Sequence, residues 1–236
     1  MLDGGAMFGV VPKSIWQKTC PADNNNMVKI AARCLLVEIG DRLILIDTGM
    51  GNKQGEKFFQ YYYRWGDDSL ESSLKKYGFY PSDITDVFLT HLHFDHCGGG
   101  VIKTGVDSYK TTFENARYWS NKEHWDWATK PNKRERASFL KENIRPIIDS
   151  GQLNYLKKDS KNYLTKSGFG FDVLFVDGHT EKQMIPIIEF KGKKIAFAAD
   201  LVPTHGHIPL PYIPGYDIRP LASLKEKNLF LNFCSE

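Results

Sequence analysis

The stretch Thr90-His91-Leu92-His93-Phe94-Asp95-His96-Cys97-Gly98-Gly99 constrains this chain more than any other. Three imidazoles and a carboxylate fall within six residues, a density of nitrogen and oxygen donors that suits zinc or a similar divalent metal. Val87-Phe88-Leu89-Thr90, just before, is apolar and reads as a short buried strand. On extended backbone alternate side chains share a side, so His91 and His93 can reach one metal together. Asp95 and His96 are adjacent and diverge unless the chain turns between them, and Gly98 to Gly100 supply flexible backbone just beyond. The segment can therefore serve two neighbouring metals, His91 and His93 on one, Asp95 and His96 on the other. A lone histidine at a strand end is ordinarily a polar residue near the surface. Four donors behind a buried strand are not explained that way.

The pattern His91-x-His93-x-Asp95-His96, followed by Gly98-Gly99, resembles the metal-binding signature of the metallo-β-lactamase fold. Its wording is closest to the lactonase and organophosphate-hydrolase branch. Leu45-Ile46-Asp47-Thr48-Gly49, Asp177-Gly178-His179-Thr180 and Ala198-Ala199-Asp200 match further motifs in order. The resemblance implies an α/β fold, a four-layer αβ/βα sandwich, and a dinuclear zinc hydrolase. It implies that His91, His93 and His179 hold one Zn2+, that Asp95 and His96 hold the second, and that Asp200 bridges both. Two such ions activate a water, polarise the electrophile and stabilise the leaving oxygen. Asp95 is the expected proton shuttle. The implied substrate is a small ester, lactone or phosphotriester-like molecule. Asp47 lies near the site in the family without normally binding metal.

There are departures from the family pattern. The family carries a last histidine on a strand well beyond the bridging aspartate. The remaining candidates here, His205 and His207, sit beside Pro203 and Pro209 soon after Asp200. Tyr216 to Lys227 resembles the family's lead into a late helix. The chain thus reads as shortened at both ends, with the last strand missing and the second zinc site incomplete. An open sheet edge would favour association, such as a homodimer. The alternative function is a truncated relative that binds metal and catalyses weakly or not at all. Pro203 also stands where some lactonases have a tyrosine, which leans toward the organophosphate-hydrolase-like branch. A glutathione thioester hydrolase typically has a histidine in place of Leu92, and a tRNA-processing nuclease a glycine in place of Phe94.

At 236 residues the chain can bury a sizeable core, and with no linker-like break it reads as one domain over residues 1–236. The net charge of +3 is too small to argue for nucleic acid or membrane. Lys130, Lys133, Arg134 and Arg136 cluster, but Glu135 and Glu142 interleave, so a solvated helix face is expected. No apolar run has the length of a membrane span. Residues 1–5 lack the zones of a signal peptide, and the four cysteines form no Cys-x-x-Cys pair. Free thiols fit a cytoplasmic protein acting on a small molecule.

Patterning gives the elements. Residues 4–11 are glycine-rich and apolar, an open strand or loop over the pocket. Residues 27–38 alternate as a strand, and Gly40-Asp41 turns it into a second one over 43–46. Asp68 or Ser69 caps a helix ending at Gly78. A strand is expected over 113–118, then a helix opened by Ser120-x-x-Glu123 and another over Ala137, Leu140 and Ile144 that Pro146 ends or kinks. Residues 171–176 form a strand, and a hairpin over 184–199 follows. Three strand ends, at Thr90, Val176 and Ala199, then deliver ligands to one edge of two similar halves.

Overall fold

The structure is a computed structural model and describes residues 1–235. Among these, one sheet has five strands in spatial order: Leu35–Ile39 (β1), Arg42–Ile46 (β2), Asp86–Phe88 (β3), Arg117–Ser120 (β4) and Leu153–Tyr155 (β5). β1 and β2 are an antiparallel hairpin, and the rest pair in parallel. A second, antiparallel sheet has four strands: Leu164–Lys166 (β6), Asp172–Val176 (β7), Gln183–Phe190 (β8) and Lys193–Ala196 (β9).

Side-chain alternation dictates the layers. Along β2, Ile44 and Ile46 point one way and pack with Phe88 against Val173, Phe175, Met184 and Ile188 of the second sheet. Leu43 and Leu45 point the other way, onto Leu74 of the helix Leu70–Lys76 (α1), Trp125 of Lys122–Thr129 and Ile144 of Lys141–Asp149. Along β7, Leu174 and Val176 face outward and meet Phe230 of the late helix Pro220–Ser235. Both faces of both central strands are apolar, as strands covered on two sides require. The result is the four-layer αβ/βα sandwich that the motifs imply.

Several local expectations are corrected. Within residues 4–11, Gly4–Phe8 is not a strand or loop but a short helix capped by Asp3, with Met7 and Phe8 buried; only residues 9–11 form a turn. Residues 27–38 are not one strand. Met27–Val28 pairs with Leu2–Asp3, residues 29–34 connect, and β1 begins at Leu35. The strand placed at 113–118 is β4, which begins four residues later and ends two later, since only there do backbone partners exist on both sides. Asn121, not Ser120, caps Lys122–Thr129 by accepting from His124 N. The next helix starts at Lys141 and runs through Pro146. The basic cluster at 130–136 is not a helix face, because Arg134 and Glu135 turn inward. The hairpin Val101–Gly105/Ser108–Thr111 was not foreseen. No helix among the described residues is long and apolar enough to cross a membrane.

Candidate metal centre

Three strand ends meet. His91 and His93 follow β3, His179 follows β7, and Asp200 follows β9 on a one-turn helix Ala199–Leu201. The short helix Phe94–Cys97 starts immediately after His93 and supplies the turn between Asp95 and His96. Two close approaches require glycine. A Cβ on Gly98 or Gly99 would run into the backbone of Met50 or Thr48, and one on Gly178 into Ser223 at the start of the late helix. Glycine at these places lets the loop after β2 and the late helix close on the histidines. Ala199 adopts φ 42°, a left-handed conformation unfavourable for a residue with a Cβ, and holds Asp200 at the mouth.

The ligand atoms of His91, His93 and His179 lie within 4.8 Å of one another, as do those of His91, His96 and Asp200. Asp200 stands between the groups, its carboxylate 3.2 Å from His96 Nε2 and 3.3 Å from His179 Nε2. The Asp95 carboxylate is 3.7 Å from His96 Nε2, and its side chain is 38% exposed, so it faces the opening. All six residues singled out in the sequence thus come together. The second triad contains His91 where Asp95 was expected, because His91 and His96 sit ring against ring, 3.9 Å between centroids.

His91, His96 and His179 are each held by their other nitrogen. Thr90 Oγ1 donates to Asp47 Oδ2 at 2.8 Å, so its oxygen is left to accept from His91 Nδ1 at 3.1 Å. His96 Nδ1 donates to Asp47 Oδ2 at 2.7 Å, and His179 Nδ1 to Asp217 Oδ1 at 3.0 Å. His93 Nε2 faces Glu135 Oε1 at 3.5 Å, long for a hydrogen bond but close enough for charge to orient the ring. Partners of this kind fix the tautomer and aim the remaining lone pair, the arrangement characteristic of metal-binding histidines. Of these partners Asp47 was noticed in the sequence; Thr90, Glu135 and Asp217 carried no ligand-like signal there.

These residues fit a metal. His91 Nε2 is buried without a partner, at the convergence point. His93 Nδ1 and His179 Nε2 face each other at 3.0 Å, where two lone pairs repel unless a cation or proton intervenes. Zinc–nitrogen bonds of about 2.0–2.1 Å are compatible with that approach. Burial, followed by the neighbouring imidazoles, pushes His91 well below the usual histidine value, and burial also lowers His93. Burial opposes charge on His96 and His179 too, but carboxylates outweigh it: Asp200, Asp95 and Asp47 raise His96, and Asp200 and Asp217 raise His179. Asp200 is held low, by His96 and His179 against the effect of burial.

The other histidines are engaged elsewhere. His207 is stacked on Phe8, with Nδ1 on Thr204 Oγ1 and Nε2 on Met7 O, both at 2.8 Å. His205 Nε2 meets Thr19 O. His124 accepts from Leu92 N through Nε2 and meets Glu181 O through Nδ1, bracing the backbone between His91 and His93. At the rim, Phe94 packs against Phe58 and Tyr62 at 5.2 and 5.1 Å, an apolar wall beside Asp95.

Comparison with known proteins gives this geometry a family. An N-acyl homoserine lactonase of Bacillus cereus is 26% identical over 176 residues, 70% of this chain and 60% of that protein. The chain thus matches about 60% of the length of its curated relatives. A probable metal-dependent hydrolase from Staphylococcus aureus superposes with a TM-score of 0.88 at 29% identity, covering 98% of this chain and 80% of the other. A dizinc quorum-quenching lactonase in complex with a product gives 0.65 at 25% identity, covering 85% of this chain and 67% of the other. A profile of the Metallo-beta-lactamase superfamily matches residues 30–231, and with that match the chain belongs to this superfamily.

Proposed function

We propose that the chain is a zinc-dependent hydrolase of a small ester, lactone or phosphotriester-like substrate. His91, His93 and His179 would hold one ion and Asp95 and His96 the other, with Asp200 within reach of both groups. The observation that carries this reading is the buried, unpartnered His91 Nε2 converging with His93 and His179, while the other nitrogen of His91 and of His179 is held by a partner. Lactones rank first among substrates because the Bacillus cereus relative is named a lactonase.

When bound, a zinc pair supplies an activated water and an electrophilic hold on the substrate oxygen. The chain's own residues do the rest. Asp47, Glu135 and Asp217 keep the imidazoles aimed. Asp95, at the opening, moves a proton to the leaving oxygen. Phe58, Tyr62 and Phe94 exclude water on one side and receive an apolar part of the substrate.

The second group has a single imidazole of its own, His96, since His205 and His207 are occupied elsewhere. Zinc is therefore expected to bind unevenly, one ion firmly and one weakly. Calorimetric zinc titration, with turnover on a panel of lactones, esters and phosphotriesters, tests this. His93→Ala should lose most of its zinc to a mild chelator. Equal zinc in variant and parent, or a parent inert on the whole panel, overturns the function; two equally tight sites overturn the uneven filling.

A further inference from the structure

Tyr216 is the one phenol set against the histidine cluster among the described residues, and the roles assigned so far leave it unused. Its ring meets His179 edge-on, 5.4 Å between centroids at 82°. Its flanks are fixed. Gly215 N donates to Ala6 O at 3.0 Å, and Arg134 Nη2 donates to Gly215 O at 2.7 Å and to Asp217 O at 3.3 Å. The next side chain, Asp217, is tied to both His179 and Ser223. The ring also rests on the cluster of Met7, Phe8 and Trp16. Such a ring has little freedom to swing.

The hydroxyl is the informative part. Tyr216 Oη has no hydrogen-bond partner among the described residues, yet it is not among the sealed, unpartnered atoms, so it opens on accessible space. An accessible hydroxyl that no protein group engages is free to donate to a bound molecule. The ring contact with His179, whose Nε2 lies 3.3 Å from the Asp200 carboxylate, sets the phenol on the wall of the cluster. With an ordinary value of about 10, a phenol is a neutral donor at neutral pH.

We infer that Tyr216 is a further catalytic residue, whose hydroxyl donates a hydrogen bond to the substrate oxygen that gains negative charge during hydrolysis. The phenol keeps its proton throughout; the bond strengthens as the acyl or phosphoryl oxygen becomes more negative, which stabilises the transition state more than the bound substrate. This rests on the hydrolase reading for the identity of the oxygen, but not for the presence of an oxyanion site.

Tyr216→Phe keeps the ring on His179 and removes only the hydroxyl. With zinc content and thermal stability matching the parent, kcat on a lactone probe should fall about 100-fold with KM changing far less, the loss typical of a missing oxyanion donor. The second readout is inorganic phosphate binding to the zinc-loaded protein by calorimetry, expected to weaken about fivefold, as for one lost hydrogen bond. If the parent turns over no ester, lactone or phosphotriester, the hydrolase reading fails by itself, and the phosphate arm still decides Tyr216. Equal phosphate affinity in variant and parent, or a parent that binds no phosphate, overturns the inference. So does loss of zinc in Tyr216→Phe, which would make the residue a support for His179.

Discussion

Asp47 takes three hydrogen bonds: Oδ1 accepts from Thr90 N at 2.8 Å, and Oδ2 accepts from Thr90 Oγ1 and from His96 Nδ1. One carboxylate therefore orients His96 directly and His91 through the threonine. Its backbone sits at φ 57°, a region aspartate tolerates better than most residues. Asp95 is its opposite, open to solvent and barely held. That difference separates a positioning carboxylate from a reacting one. Asp95→Asn should leave stability within about 0.5 kcal/mol, as surface substitutions usually do, while kcat falls about 100-fold or more through the lost proton carrier. Activity within a few-fold of the parent at equal zinc content would remove Asp95 from that role. Four of the six candidate ligands were legible because local spacing places them; His179 and Asp200 came from the resemblance of their motifs. Of their partners, Asp47 was noticed through the same resemblance, but Asp217, 38 residues from His179, was not. An isolated aspartate carries no mark of what it will meet.

Residues 132–138 form no regular element, yet they tie two parts of the site together. Asn132 caps the turn by accepting from Arg134 N and Glu135 N. Glu135, fixed by Trp127 Nε1 and Asn132 Nδ2, both at 2.7 Å, faces His93. Arg134 grips the carbonyls on either side of Tyr216. Arg134→Ala is expected to speed amide hydrogen exchange at residues 215–218 and to weaken zinc binding by about 1–2 kcal/mol, the scale of hydrogen bonds from a charged group. Exchange in β2 and β7 should not change, and uniform acceleration across the molecule would contradict a local clamp. Such a segment is hard to read in sequence, because its charges resemble a solvated helix face. Hairpins were legible for the converse reason: Gly40 and Lys191-Gly192 take the positive φ their turns demand. Residues 27–38 alternate as a strand should, but alternation does not say whether a partner strand lies alongside.

At the scale of the whole molecule, the four imidazoles of the candidate metal centre are pulled in opposite directions, while burial lowers His124, to about 3, and His207, both adding to the acid side. His91 and His93 are lowered below 6.5, so the unfolded chain takes up their protons first as pH falls. Their contribution to stability is present above pH 6.5 and is lost below it. His96 and His179 are raised above 6.5 by the carboxylates around them, so their contribution is full below 6.5 and is lost as pH rises through their folded values. The metal-free protein should therefore be most stable near pH 6.5, falling off on both sides. Lys53 and Lys227, lowered by burial to about 8, add stability only as pH rises above that value, so the alkaline limb is read below it. Zinc takes the imidazole lone pairs and displaces the protons on His96 and His179. The zinc-loaded protein should then lose the alkaline limb, its Tm rising through pH 6.5 and staying high, with proton release on binding growing as pH falls through the folded values of His96 and His179. Thermal melts of chelated and zinc-loaded protein between about pH 5.5 and 7.5, in buffers of different ionisation enthalpy for the titration, measure both effects. A metal-free Tm that climbs steadily across that range would show that Asp200, Asp95 and Asp47 do not hold charge on the paired histidines, and the electrostatic account of the centre would fall with it.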